Sequence, residues 1–221
     1  MQGDAAARDR MVARQIEARG IHSPRLLAAM RTVPRHLFLP EEEGPYAYDD
    51  CPLPIGAGQT ISQPYIVALM IDAAEIGAGA NVLEVGAGSG YAAAVIGQLA
   101  TSVHALERRA PLAAEAAGRI ADLHLGNVHV IAADGLSGWP AAAPYDAIIV
   151  SAAGAHVPSA LLYQLKMGGR LVMPVAQPGD GQALMLYRRM GKADFSAHGL
   201  CDVRFVPLLS GVDPGFADDT A

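Results

Sequence analysis

Val82-Leu83-Glu84-Val85-Gly86-Ala87-Gly88-Ser89-Gly90 is the stretch whose reading decides the fold. A short apolar run stops in a glycine-rich turn, and a helical pattern opens at Tyr91. A second apolar run, Val103 to Leu106, then ends in the carboxylate of Glu107, about 20 residues past the turn. That order begins a βαβ unit, with Glu107 placed to accept hydrogen bonds from both hydroxyls of a ribose.

Outward from this unit the alternation is regular. Apolar runs at 81–85, 103–107, 128–132, 145–151 and 170–175 are separated by helical patterns, among them Ala110 to Leu123 and Pro158 to Lys166, the latter stopped by Gly168-Gly169. Unbroken apolar strands between helices predict a doubly wound, mostly parallel α/β sheet covered on both faces. Two more strand-like runs, Ala183 to Met190 and Val203 to Leu208, leave no room for a helix between them and predict an antiparallel terminal pair. Upstream, a helix over Arg8 to Arg19 stops at Gly20, and Ser23-Pro24 opens a second, with Ser23 as N-cap. Residues 34–60 hold five prolines and read as an irregular, lid-like stretch, and a third helix begins near Pro64. One domain is expected over 1–221, comprising an N-terminal helical and lid region (1–75), a cofactor-binding core (76–212) and a frayed tail (213–221).

Composition narrows the function. The chain has 221 residues, 52% hydrophobic and 17% charged, enough to bury a full core. Net charge is −6 and basic residues are dispersed, which argues against nucleic acid as partner. No apolar segment approaches the ~20 residues of a membrane span, and residues 1–19 lack a signal-peptide core. A cytoplasmic, soluble protein is expected. Cys51 and Cys201 offer neither metal spacing nor a disulfide framework, no metal is expected, and a monomer is expected.

The cofactor follows from what the loop lacks. A dinucleotide calls for G-x-G-x-x-G, but the place of the third glycine is taken by Tyr91. Glu84, Glu107 and Asp134 all fall at or near strand ends and would repel a diphosphate. S-adenosyl-L-methionine carries no phosphate, bears a sulfonium and an ammonium, and presents a ribose and an adenine, whose exocyclic amine Asp134, followed by Gly135, is placed to receive. It suits these acids better than a nicotinamide or flavin dinucleotide.

A second segment, Pro54-Ile55-Gly56-Ala57-Gly58-Gln59-Thr60-Ile61-Ser62-Gln63-Pro64-Tyr65, brings hydroxyl and amide donors to a helix start. Thr60 with Gln63 fits a capping box, and Ser62 fits a plain N-cap; on periodicity alone that ordinary reading is the better one. No general base accompanies these donors. Seven histidines are scattered outside both segments; His156, following the fourth apolar run, is the nearest candidate base, and a surface or helix-start position is the better reading of it.

Pro54–Tyr65, the Leu83–Gly90 loop, Tyr145–Val150, Leu165 with Gly168–Val175, and Arg204-Phe205-Val206-Pro207-Leu208 together resemble the protein-L-isoaspartate O-methyltransferases, over about Met11 to Gly211. Small departures are Ala87, Ala133, Gly154 and Leu209. The resemblance implies a Rossmann-like class I methyltransferase that repairs isoaspartyl peptides and proteins by methylating their free carboxylate. It implies Ser62 as the active-site serine and Gln59, Thr60, Ile61 and Ser62 as the border of the cofactor. Gly86, Gly88 and Gly90 would lie at the methionine end, Glu107 at the ribose, and Asp134 with Gly135 at the adenine. Val206, Pro207 and Leu208 would run along the bound peptide. A carboxylate nucleophile, with a reference pKa near ~4, needs no base. The alternatives are a methyltransferase for another carboxylate or small molecule, and a module that binds the cofactor without turnover.

Overall fold

The five apolar runs become parallel strands; four are buried on both faces of their sheet, while the 128–132 run is an edge whose His129 and Ala132 are exposed. The computed structural model describes residues 2–214. Strands β1 (Leu53–Gly56) and β2 (Gln59–Ile61) form a small hairpin, while β3 (Asn81–Val85), β4 (Ser102–Glu107), β5 (Val128–Ala132), β6 (Tyr145–Val150), β7 (Leu165–Ala176), β8 (Gln182–Arg189) and β9 (Phe195–Asp202) form one sheet. The sheet order is β5-β4-β3-β6-β7-β8-β9, parallel as far as β7 and antiparallel beyond it. The order reverses between β3 and β6, the crevice where open α/β sheets take ligands.

Helices α1 (Gln2–Met11), α2 (Pro24–Thr32), α3 (Pro64–Ala74) and α4 (Tyr91–Gly97) share one apolar cluster with Val82, Val103, Ala105, Ala147 and Ile149 on one sheet face. The N-terminal helices therefore close over the same core as the sheet. Leu83, Val85, Leu106, Ile148 and Val150 point to the other face, where Leu161 of α6 (Ser159–Tyr163) covers them. Helix α5 (Ala110–Asp122) buries Leu112, Ala116 and Ile120, as the spacing predicts.

Several boundaries differ from the sequence reading, each for a physical reason. Helicity starts earlier than Arg8 and passes through a π turn (Val12–Ile16) and a 3-10 turn (Glu17–Arg19) before Gly20 stops it at φ 95°. Ser23 precedes Pro24 as expected, but its hydroxyl makes no capping bond. The irregular 34–60 stretch holds most of the β1–β2 hairpin, which runs on to Ile61 and is turned by Gly56, Ala57 and Gly58, all at positive φ. Helix α6 ends at Tyr163, and Gly168-Gly169 lie inside β7. An added Cβ at Gly169 would sit 2.9–3.2 Å from the carbonyls of Lys166, Tyr145 and Asp146, so glycine there serves a bulged strand and does not end a helix.

The terminal antiparallel pair exists, but its second member is Phe195–Asp202 and not Val203–Leu208. Strand β9 is an edge whose side chains are largely exposed, so it carries no apolar signature. Residues 203–208 leave the sheet and turn back across the carboxyl ends of the strands. Ala153 N–H donates to Val206 O (2.8 Å) and Leu208 N–H to Ala153 O (2.8 Å). Further on, Asp213 bridges to Arg109, its N–H donating to Arg108 O at 2.7 Å. The expected tail thus starts, at Asp213, in a paired position; its residues 215–221 lie outside the described residues. Among the described residues no helix is long and apolar enough to cross a membrane.

Candidate active site

The glycine turn is shaped by its neighbour strand before any ligand is considered. Gly86 and Ala87 donate N–H groups to Leu106 O at 2.8 and 2.9 Å, and Gly86, Gly88 and Gly90 all take positive φ, which side chains rarely adopt. Glu107, at the end of β4, accepts from Gly88 N–H on Oε2 (2.9 Å) and from Arg109 N–H on Oε1 (2.9 Å). One carboxylate thus fixes both the turn and its own position, leaving its remaining lone pairs to face a ligand.

The crevice above the strand ends is lined by Gln59, Thr60, Ile61 and Ser62 from the hairpin, by Glu84, Gly86 and Gly88, by Glu107, by Gly135, and by Val206, Pro207 and Leu208. Glu107 and Ser62, 45 positions apart in sequence, open onto the same space. Two expected residues are not among its lining. Gly90 instead packs on α5, where a Cβ would lie 3.2 Å from Ala116 Cβ. Asp134 accepts from Leu136 N–H (2.9 Å) and from Gly211 N–H (2.8 Å), so it ties the returning 203–213 segment to the end of β5. Gly135 stands against the sheet so closely that a Cβ would run into Val85 Cγ1.

Ser62 is not a helix cap; Gln63 holds that position for α3 and makes no side-chain cap bond either. Ser62 borders a second hollow as well, lined by Gln63, Asp202, Arg204 and Phe205 among others, with Thr60, Ser151 and Val206 common to both. A hydroxyl at the junction of two hollows can align a donor held in one with an acceptor held in the other.

Three contributors escaped the sequence reading. Ser151 directly follows β6 and lines both hollows; a polar residue closing an apolar run was its signal. Tyr91 lines the crevice from α4, and burial pushes its hydroxyl pKa up to about 12. Arg35 is fully buried and donates from Nε to Ala47 O and from Nη2 to Ser62 O, both at 2.8 Å. Nothing in the local pattern distinguishes Arg35 from an exposed arginine.

The lining suits a phosphate-free ligand that carries positive charge. Glu84 is 1% exposed and its Oε2 has no hydrogen-bond partner. Arg108, the cation among the described lining residues, is turned toward Ser210 O, Gly211 O and Asp213.

The family model for protein-L-isoaspartate(D-aspartate) O-methyltransferase matches residues 6–213. The chain belongs to this family. A protein-L-isoaspartate O-methyltransferase of Rhodopseudomonas palustris is 59% identical over 90% of this chain and 91% of its own length. One from Methylorubrum extorquens is 54% identical over 97% and 92%. A solved protein-L-isoaspartate O-methyltransferase superposes with a TM-score of 0.85 at 27% identity, covering 93% of this chain and 67% of that one. A Plasmodium falciparum chain solved in complex with S-adenosyl-L-homocysteine shares the fold, with a TM-score of 0.80 at 24% identity over 91% and 98%. Family membership agrees with the crevice chemistry, whose acids and missing phosphate cradle favour S-adenosylmethionine over a dinucleotide.

Proposed function

We propose that this chain transfers a methyl group from S-adenosylmethionine to the free carboxylate of L-isoaspartyl residues in peptides and proteins, with Ser62 aligning the acceptor. The observation that carries this reading is the single space shared by Glu107 and Ser62, with Ser62 also facing the neighbouring hollow. When bound, the cofactor supplies an electrophilic methyl group on a sulfonium.

The chain's part is binding and alignment. Glu107 receives the ribose hydroxyls while its bonds to Gly88 and Arg109 hold the turn open. Gln59 to Ser62, Glu84, Gly86 and Gly88 enclose the methionine end, and Gly135 lets the adenine approach the end of β5. Asp134 supports the adenine side by anchoring Gly211, and Gly90 by seating α4 on α5. The acceptor carboxylate is ionised at neutral pH, so no base is needed. The Ser62 hydroxyl donates to one carboxylate oxygen and turns the other toward the methyl group. Positioning of this kind is worth at most ~7–11 kcal/mol.

The peptide lies along Val206–Leu208. Val206 O and Leu208 N–H are already bonded to Ala153, and Pro207 has no N–H, so recognition falls on the outward side of this segment. Backbone contacts there tolerate varied sequences, as a repair enzyme requires.

Ser62→Ala tests the assignment. Loss of one aligning donor lowers turnover on an isoaspartyl peptide by about 10–1000-fold and leaves the Kd of S-adenosylhomocysteine within about twofold. A collapse of cofactor affinity with turnover intact at saturation would remove Ser62 from this role.

A further inference from the structure

Two carboxyl groups stand side by side at the ends of β3 and β4, yet they are treated oppositely. Glu107 receives two backbone N–H bonds. Glu84, in register with Ala105 on the adjacent strand, is sealed at 1% exposure with Oε2 unpartnered. The charged group facing it is Glu107, which repels it. Of the other titratable groups in the lining, the Tyr91 hydroxyl is directed to Met30 Sδ, and Arg108 is engaged with the 210–213 segment. Burial first, and Glu107 second, push the Glu84 carboxyl well above the usual carboxylate range.

An unpartnered carboxyl in this position has one fitting counterpart, a cation delivered by the ligand. We propose that Glu84 is a proton-linked counter-ion for the cofactor, protonated while the crevice holds no positive charge and giving its proton to solvent as the cofactor's cationic groups arrive. This rests on reading the crevice as the S-adenosylmethionine site. The step is balanced, with one O–H bond on Glu84 broken, its proton passed to buffer, and the resulting carboxylate paired with the incoming charge. Uptake of the cofactor is then favoured by rising pH until Glu84 is already ionised in the empty protein.

The test is calorimetric titration of the full chain with S-adenosylmethionine, without acceptor peptide, in phosphate and in Tris at several pH values. The two buffers differ in ionisation enthalpy, so the difference in heat counts the protons released. We expect proton release at pH values between the ordinary carboxylate range and the raised value of Glu84, and affinity climbing by up to about tenfold per pH unit through that window. Glu84→Gln loses this release and binds more weakly at high pH, converging with the natural protein as pH falls. The comparison is read at the low end of the pH range, where the ligand's ammonium, with an ordinary pKa of about 7.7–8.0, is protonated both free and bound and releases nothing.

Infrared difference spectra of the natural protein provide a measurement that needs no variant, because a protonated-carboxyl band disappears on binding. Heat that is independent of buffer, release that is equal in Glu84→Gln, or a carboxyl band that is unchanged on binding would each overturn the proposal while leaving the site intact. No binding heat at any pH in either buffer would overturn the site itself, and the proposal with it.

Discussion

Arg35→Lys separates what holds Ser62 in place from what holds the cofactor. The guanidinium is fully buried, its pKa is lowered by that burial, and it spans the carbonyls of Ala47 and Ser62 at 2.8 Å each while lying 4.9 Å from the Tyr91 ring centre. Its Nη1 has no partner, so this cation is retained at some cost for the geometry it imposes. A lysine keeps the buried charge but cannot span both carbonyls, and at least one charged hydrogen bond is lost, about 1.5–3 kcal/mol. For a chain of this size that corresponds to a fall of about 3–12 °C in melting temperature. If the Ser62 segment relaxes by ~1 Å, turnover drops on the order of 100-fold. The cofactor contacts through Glu107 and the glycine turn are untouched, so the Kd of S-adenosylhomocysteine stays within about threefold. The assays are thermal unfolding, calorimetric cofactor binding, and methylation of an isoaspartyl peptide, each in natural and Ser62→Ala backgrounds. In the Ser62→Ala background, Arg35→Lys adds little further loss of turnover, because both changes act through one hydroxyl. Full turnover alongside the expected loss of stability would refute the reasoning, and so would a fall in cofactor affinity matching the fall in turnover.

Gly135→Ala drives a methyl group into Val85 Cγ1, an overpacking cost of about 1–3 kcal/mol; denaturant unfolding of Gly135→Ala, Val85→Ala and the pair together should show that Val85→Ala recovers part of that loss, whereas simple additivity would place the strain elsewhere. Stability without cofactor should also depend on Glu84. Its folded-state pKa lies above the ordinary 4.5, so the native state keeps a proton the unfolded chain has released, and stability falls as pH rises from about 4.5 through the raised value. Melting curves of the natural protein against Glu84→Gln across that range should diverge in that direction, and parallel curves would contradict it.

The centre of the sheet was legible because β3, β4, β6 and the 170–175 part of β7 are buried on both faces, and burial on both faces writes an uninterrupted apolar run. Edge strand β9 writes no such run, since most of its side chains face water, and apolarity passed instead to residues 203–208, which line the two hollows. The glycine turn and Glu107 were legible because their spacing is itself the geometry, a turn and the end of the next strand. Ser62 had donors and an ordinary reading as a cap, and its place between two hollows depends on the hairpin and on the return of the 203–213 segment. Asp134 shows the opposite limit. Its place just past the end of β5 was legible, but the bond that orients one of its oxygens comes from Gly211, 77 positions away, while the other oxygen accepts from its near neighbour Leu136. Arg35 was invisible because a buried cation is recognised by the carbonyls it reaches, and these come from two other loops.

Labelled S-adenosylmethionine offered with two peptides, identical except for an aspartyl or isoaspartyl linkage at one residue, measures the central claim most directly. Base-labile label on the isoaspartyl peptide alone is the expected result. Equal labelling of both peptides, or label on neither with the cofactor bound, would contradict the account.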